Sequence, residues 1–179
     1  TLPAKGILGA VATRFLPVWA GMIAVFALSI VFKRRLGLYG KLFDSPIGMV
    51  GFAIVLFWVF TAFFAGTVAT HDPLTQVSGM KNVLPGSALT DGIEGYPYYL
   101  FGGDNLARDV FSRMVTGARQ VLIIAPAATL FAFMVGITLG LPAGYFGGRL
   151  DTFLSFLANL VLAFPVILLF YLLVTPEIR

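Results

Sequence analysis

Residues Gln120–Gly148 read QVLIIAPAATLFAFMVGITLGLPAGYFGG, 29 residues without one Asp, Glu, Lys, Arg or His. A helix rising 1.5 Å per residue crosses a hydrocarbon core of about 30 Å in roughly 20 residues, so this stretch can span a bilayer with tilt. Its Leu, Ile, Phe and Val do not alternate with polar residues, as they would in a barrel strand of about 10 residues. Three further stretches lack ionisable residues: Phe15–Phe32, Ser45–Thr70 and Thr152–Pro176. The first, at 18 residues, is marginal in length, and the other two hold 26 and 25. The whole chain is 59% hydrophobic and 11% charged, with a mean hydropathy of +0.94. Soluble domains average about 25% charged residues, and a chain this apolar cannot cover its own surface with polar groups. The fold class that follows is an all-α integral membrane protein with about four transmembrane helices.

Working outward, Lys5 and Arg14 precede the first stretch as in the basic region of a secretory signal. Lys33-Arg34-Arg35 follows it directly and acts as a stop rather than a cleavage site, so a retained helix is expected. The organisation read from these boundaries is an N-terminal segment, 1–44, carrying one helix at 15–32; a second helix at 45–70; a polar segment at 71–119; and two further helices in 120–179. There are no cysteines, which removes disulfides and thiolate metal sites. The net charge of +4 lies on the membrane flanks, a pattern of membrane-surface anchoring and not a nucleic-acid stripe.

The polar segment has two parts. From His71 to Pro97 it is rich in Gly, Pro, Asp and Asn and reads as an irregular loop. From Leu106 to Arg119 the apolar residues Leu106, Ala107, Val110, Phe111, Met114, Val115 and Ala118 recur at three- and four-residue intervals, so they share one helical face. Arg108, Asp109, Ser112, Arg113, Thr116 and Arg119 take the other. An amphipathic interfacial helix is therefore expected over Leu106–Arg119, capped by Asp104 and leading into the third span. Asp109 and Arg113, four apart with the acid first, are spaced as a helical ion pair. The third span carries Gly136, Gly140, Gly144 and Gly148 at intervals of four, which allows another helix to approach closely. Pro17, Pro126, Pro142 and Pro165 fall in the apolar stretches and are expected to kink or end their helices.

Charge alone does not orient the chain. With 71–119 outside, the inner side holds Lys33, Arg34, Arg35, Lys41 and Arg149, and the outer side Lys5, Arg14, Lys81, Arg108, Arg113 and Arg119. The Lys33–Lys41 cluster is the densest next to helix ends, which favours that orientation.

No enzyme constellation is present. The single histidine, His71, stands at a membrane boundary and reads as the start of a turn, no Gly-x-Ser-x-Gly elbow occurs, and no Gly-x4-Gly-Lys-Ser/Thr sequence occurs. No cofactor or metal is expected. Polar residues within the spans include Thr61, Thr129, Thr138, Ser155 and Asn159; no residue in the spans is ionisable, which argues against an ion-coupled pump. Asn159 must find a partner in another helix or a water-filled path, and Thr138 has the same two options.

Phe101-Gly-Gly-Asp104-Asn-Leu-Ala-Arg108-Asp109-Val-Phe-Ser-Arg113, followed by Gly117-Ala118-Arg119, resembles the segment before the permease core in dipeptide and oligopeptide ABC importers. The second (C-type) permease of that family commonly has G-T-D-x-x-G-R-D-V-x-S-R and then Y-G-A-R. Asp72-Pro73-Leu74-Thr75-Gln76 is similar to its D-P-L-x-Q, Ala143–Asp151 to its A-G-Y-x-G-G-x-x-D, and Leu162-Ala163-Phe164-Pro165 to its L-A-F-P. The likeness covers roughly 41–175. Gly103 replaces the usual Thr, Ala107 the usual Gly, Thr116 the usual Tyr, and Asn159 a frequent Asp. The helix at 15–32 lies outside it, and the family's cytoplasmic coupling motif, E-A-A-x3-G, is not among these residues, so the resemblance implies a C-terminally incomplete chain.

The resemblance further implies a permease subunit in the bacterial inner membrane, with no bond chemistry of its own. Its partners would be a second permease, two cytoplasmic ATPase subunits and a periplasmic substrate-binding protein. Asp72–Arg119 would lie in the periplasm and Tyr145–Asp151 in the cytoplasm. Asp104, Arg108, Asp109, Arg113 and Arg119 become candidate motif or partner-contact residues. Nickel and glutathione importers share these motifs, so the cargo stays open. A small membrane scaffold is the other reading; it accounts for the helices but not for four motifs in order.

Overall fold

The computed structural model describes residues 1–35, 37–89, 95–163 and 165–174. Asp91 and Glu94 of the loop, Phe164 of the last motif and residues 175–179 lie outside the described residues. Helices dominate: α1 (Ala4–Arg14), α2 (Leu16–Val31), α3 (Gly37–Lys41), α4 (Pro46–Phe63), α5 (Ala65–Val68), α6 (Val110–Phe146), α7 (Gly148–Ala163) and α8 (Val166–Val174). The expected irregular loop consists mostly of turns, with one two-residue antiparallel ladder, β1 (Ser87–Ala88) on β2 (Tyr98–Tyr99). The protein is an all-α integral membrane protein. Helices α4 and α6 are each long and apolar enough to cross a membrane, and α1 with α2 makes a third if that pair, bent by 55°, is one span.

The prolines account for the breaks. Pro17 enters at the first turn of α2; it has no N–H for the carbonyl of Thr13, and the helix bends there. Pro165 stands immediately ahead of α8 and divides the fourth expected span, 152–176, into α7 and α8 of 16 and 9 residues. Pro126 and Pro142 lie inside α6 without ending it, as spans tolerate when neighbouring groups satisfy the freed carbonyls. Ser45 caps α4, its Oγ accepting from Gly48 N–H, and Pro46 follows at the first helical position.

The chain divides into two compact units, Thr1–Ala125 and Pro126–Arg179. In the first, α2 and α4 run antiparallel: Phe15 stacks on Phe57 at 5.3 Å between ring centroids, and Phe26 meets Phe52 at 5.5 Å. Gly21 lets the helices close, since a Cβ there would stand 3.0 Å from the Phe60 ring. At one end the core of Phe15, Val18, Ala65, Val68, Leu100, Phe111 and Val115 joins α2 and α5 to the loop and to the start of α6. The N-terminus folds onto the same end, with Leu2 N–H bonding Gly86 O at 2.7 Å and the Arg14 guanidinium 4.9 Å from the Tyr96 ring centroid. At the other end Lys33 pairs with Asp44. In the second unit Ala143 is the one buried residue among those described.

Candidate functional site: two aspartates at the start of α6

The motif 104–113 does not begin a helix at Leu106. Asp104 Oδ1 accepts the N–H of Leu106 at 2.8 Å and of Arg108 at 3.0 Å, an Asx-type turn. Ala107 sits at φ +60°, in the left-handed region. Asp104 N–H bonds Arg108 O, and Val110 N–H bonds Gly102 O. These bonds hold 102–109 as a tight loop, and the helix starts at Val110. The cap is Asp109, whose Oδ1 accepts Phe111 N–H at 3.1 Å. The expected interfacial helix over Leu106–Arg119 is thus corrected: 110–119 forms the first turns of the helix that continues as the third span, and Asp104 caps a turn. The expected Asp109–Arg113 pair is not formed either, because Arg113 pairs with Asp104.

Asp104 is a charge hub. Its Oδ2 accepts from Arg108 Nε at 2.9 Å and Nη2 at 2.8 Å, and from Arg113. Desolvation would raise its carboxyl pKa, but bonds from the Arg108 backbone and guanidinium, the Leu106 N–H and Arg113 outweigh it and hold the group far below the usual carboxylate range.

Asp109 has a separate and wholly buried setting, 0% exposed. Its Oδ2 accepts from Ser112 Oγ at 2.6 Å, Thr70 Oγ1 at 2.7 Å and His71 Nδ1 at 2.9 Å. Ser112 Oγ in turn accepts the backbone N–H of Thr70 at 3.0 Å and of His71 at 2.9 Å. His71 Nε2 donates to Tyr96 O at 2.7 Å. Burial would raise the Asp109 pKa, but His71, Ser112 and Thr70 outweigh it and lower it. Tyr99, stacked edge-on to His71 at 5.2 Å, is pushed up by its own burial and by the two aspartates. No buried side-chain polar atom among the described residues lacks a partner.

The Ser112–Asp109–His71 trio is not arranged for hydrolysis. Nucleophilic catalysis requires the base to touch the serine, whereas here the serine and the histidine ring both bond the carboxylate, and Ser112 is fully buried. Among the described residues no group of three His, Cys, Asp or Glu could hold a metal. The arrangement instead fastens the end of α5 to the start of α6.

The remaining candidates stand apart. Arg119 is exposed. Thr138 Oγ1 bonds Met134 O at 2.8 Å and Val135 O at 3.1 Å in its own helix, and Asn159 is exposed on α7. Gly136, Gly140 and Gly144 lie on α6 with open space where a Cβ would point. Gly148 is not on that helix: it follows Gly147 in a left-handed turn, at φ +58° and +57° respectively, and opens α7. Gly140 and Gly144 border an open groove of about 620 Å³ with Asp151, Ser155 and Ala158. His71, Thr70 and Ser112 were not singled out as site residues from the sequence.

The sequence is similar to those of named relatives. The dipeptide transport system permease protein DppC of Haemophilus influenzae is 34% identical over 121 residues, 68% of this chain and 40% of that protein. The di/tripeptide transport system permease protein DppC of Pseudomonas aeruginosa is 34% identical over 142 residues, 79% of this chain and 46% of that protein. The glutathione transport system permease protein GsiD of Pectobacterium atrosepticum is 43% identical over 68 residues, 38% of this chain and 23% of that protein. No family model matches the chain, and no solved structure does. The chain spans less than half the length of the curated relatives it matches. On 34% identity over alignments that cover 68% and 79% of its residues, the chain belongs to the permease proteins of peptide transport systems.

Proposed function

We propose that this chain is part of a permease subunit of an ATP-driven importer for peptides or similar small solutes, and that it forms part of the translocation path in a bacterial inner membrane. The observation that carries the reading is the 34% identity to two named peptide permeases over 68% and 79% of the chain. The permease performs no bond chemistry; it presents a path in two conformations whose relative stability the other subunits bias. Those subunits are a second permease, two cytoplasmic ATPases and a periplasmic substrate-binding protein. Exposed Arg113 and Arg119 are proposed as contacts to a partner protein, and Asn159 and Thr138 as polar groups facing another helix or the path. Asp109 serves inside the chain.

In this reading the N-terminus and residues 71–109 are periplasmic and Lys33–Asp44 is cytoplasmic. Support comes from the first unit, where Leu2 and Arg14 touch the loop at one end of α2 and α4 and Lys33–Asp44 lies at the other. Two measurements test the proposal. Cysteines placed singly at Lys41 and Lys81 should give labelling of position 81 alone when intact cells meet an impermeant thiol reagent; the reverse pattern overturns the topology. Deleting the gene should abolish uptake of labelled di- and tripeptides, with restoration by the gene on a plasmid, and unchanged uptake of every peptide tested overturns the transport role.

A further inference from the structure

We propose that the turn between α2 and α4 is a binding site for the phosphate headgroup of an anionic phospholipid. Three cations, Arg34, Arg35 and Lys41, are exposed there. Lys33 and Asp44 neutralise each other, and none of the other three has an acidic partner among the described residues. A surplus of three positive charges thus remains on one short segment.

The described residues of this segment are tied to one another and to α2. Lys33–Arg35 forms a 3-10 turn, with Arg35 N–H on Phe32 O at 2.8 Å. The backbone of α3 rests against that turn: a Cβ on Gly40 would stand 2.3 Å from Lys33 O. The close approach keeps neighbouring Lys41 beside the basic turn. Tyr39 fixes the segment to α2 through a 2.9 Å hydrogen bond with Ser29, and packs edge-on against Phe43 and Phe52 at 5.4 and 5.7 Å. The basic segment thus adjoins an aromatic cluster of Tyr39, Phe43 and Phe52 where two apolar helices end, and the ends of a membrane helix are where lipid headgroups are met. Basic residues there each favour anionic over neutral lipid by about fivefold. Of the anionic partners, a lipid headgroup is the one always present at the end of an apolar membrane helix, which favours it over a nucleic acid or an acidic protein.

The site is independent of cargo and of transport. Its test is native mass spectrometry of the purified chain after exposure to equal amounts of phosphatidylglycerol and phosphatidylcholine. The chain should retain the anionic lipid at least about tenfold better, and raising salt should reduce that preference. Arg34→Gln/Arg35→Gln/Lys41→Gln should abolish the preference. Arg34→Lys/Arg35→Lys should keep it, as should Lys5→Gln/Lys81→Gln. Circular dichroism checks that each variant keeps its helix content, and the salt titration needs no variant. Equal retention of the two lipids overturns the proposal, as do a salt-independent preference, a preference surviving the triple substitution, or displacement of the lipid by millimolar inorganic phosphate.

Discussion

Residues 70–113 and residues 126–174 satisfy their polar and apolar groups in opposite ways. In the first region every buried side-chain polar atom among the described residues has a partner in the same chain: Asp109 takes three side-chain donors on one oxygen, and Asp104 gathers two backbone N–H groups and two arginines. In the second, Leu130, Phe131, Met134, Leu141, Phe156 and Leu162 are among many large apolar side chains left exposed, and Thr138 turns back to its own helix. A helix apolar all round needs lipid or other helices around it. The first region therefore carries its structural instructions within itself, and the second carries a requirement for surroundings. A substitution in one should be read out by the chain alone, and in the other only by the assembly.

The largest expected effect tests that contrast at its centre. Asp109→Ala leaves His71, Thr70 and Ser112 without their shared acceptor, and breaking a buried pair costs about 3–5 kcal/mol. Thermal unfolding in detergent should show the loss, and a second substitution at His71 should add less than its single effect. A mild Asp109→Ala would remove the contrast. Acid should produce the same loss reversibly. Asp104 and Asp109 have lowered pKa values in the folded chain, so their contribution is present above the ordinary value of 3.8 and lost as pH falls below it. Unfolding midpoints should hold steady from about pH 7 to about pH 5 and drop beneath about pH 4.

Next in size is Gly103→Thr, which would install the residue common in the family. A Cβ at 103 would stand 1.9 Å from Met80 O, so the change should destabilise the chain by about 1–3 kcal/mol; a neutral result would mean the 80–83 turn yields freely. Ala107→Gly should go the other way, stabilising by about 1 kcal/mol because Ala107 occupies the left-handed region at φ +60°. Smallest is Gly140→Ala, which meets nothing within 4 Å and should stabilise the isolated chain by no more than about 0.5–1 kcal/mol, since Ala replaces Gly inside a helix. If it blocks association with another subunit without lowering the unfolding midpoint, the contrast is sharpened.

The membrane character was legible because it needs only a count of missing charges: Phe15–Phe32, Ser45–Thr70 and Gln120–Gly148 each contain the body of a helix. The apolar periodicity at 110–118 was legible too, and Phe111, Val115 and Ala118 are buried. Its first residues misled. Leu106 and Ala107 fit the period, but Asp104 captures the N–H groups that a helix would need and Ala107 turns left-handed. Side-chain competition for backbone donors is invisible to periodicity. The His71–Asp109 contact joins residues 38 apart, across a loop whose turns no pattern rule relates to the start of α6. Both carboxylates of the motif were found; their division of labour, one a hub for arginines and one a buried cap, required the fold.

Leu2 bonds a carbonyl at Gly86, and Arg14 rests on Tyr96. A ribosome delivers α1 well before either partner exists. During synthesis α1 therefore waits with its docking face unmatched, and α2 can enter the bilayer before α1 has anything to close against. Long-range contacts of this kind form late and slowly, so the seal between α1 and the loop is a finishing step of biogenesis. A chain halted before residue 86 would carry the same first helix with no seat for it.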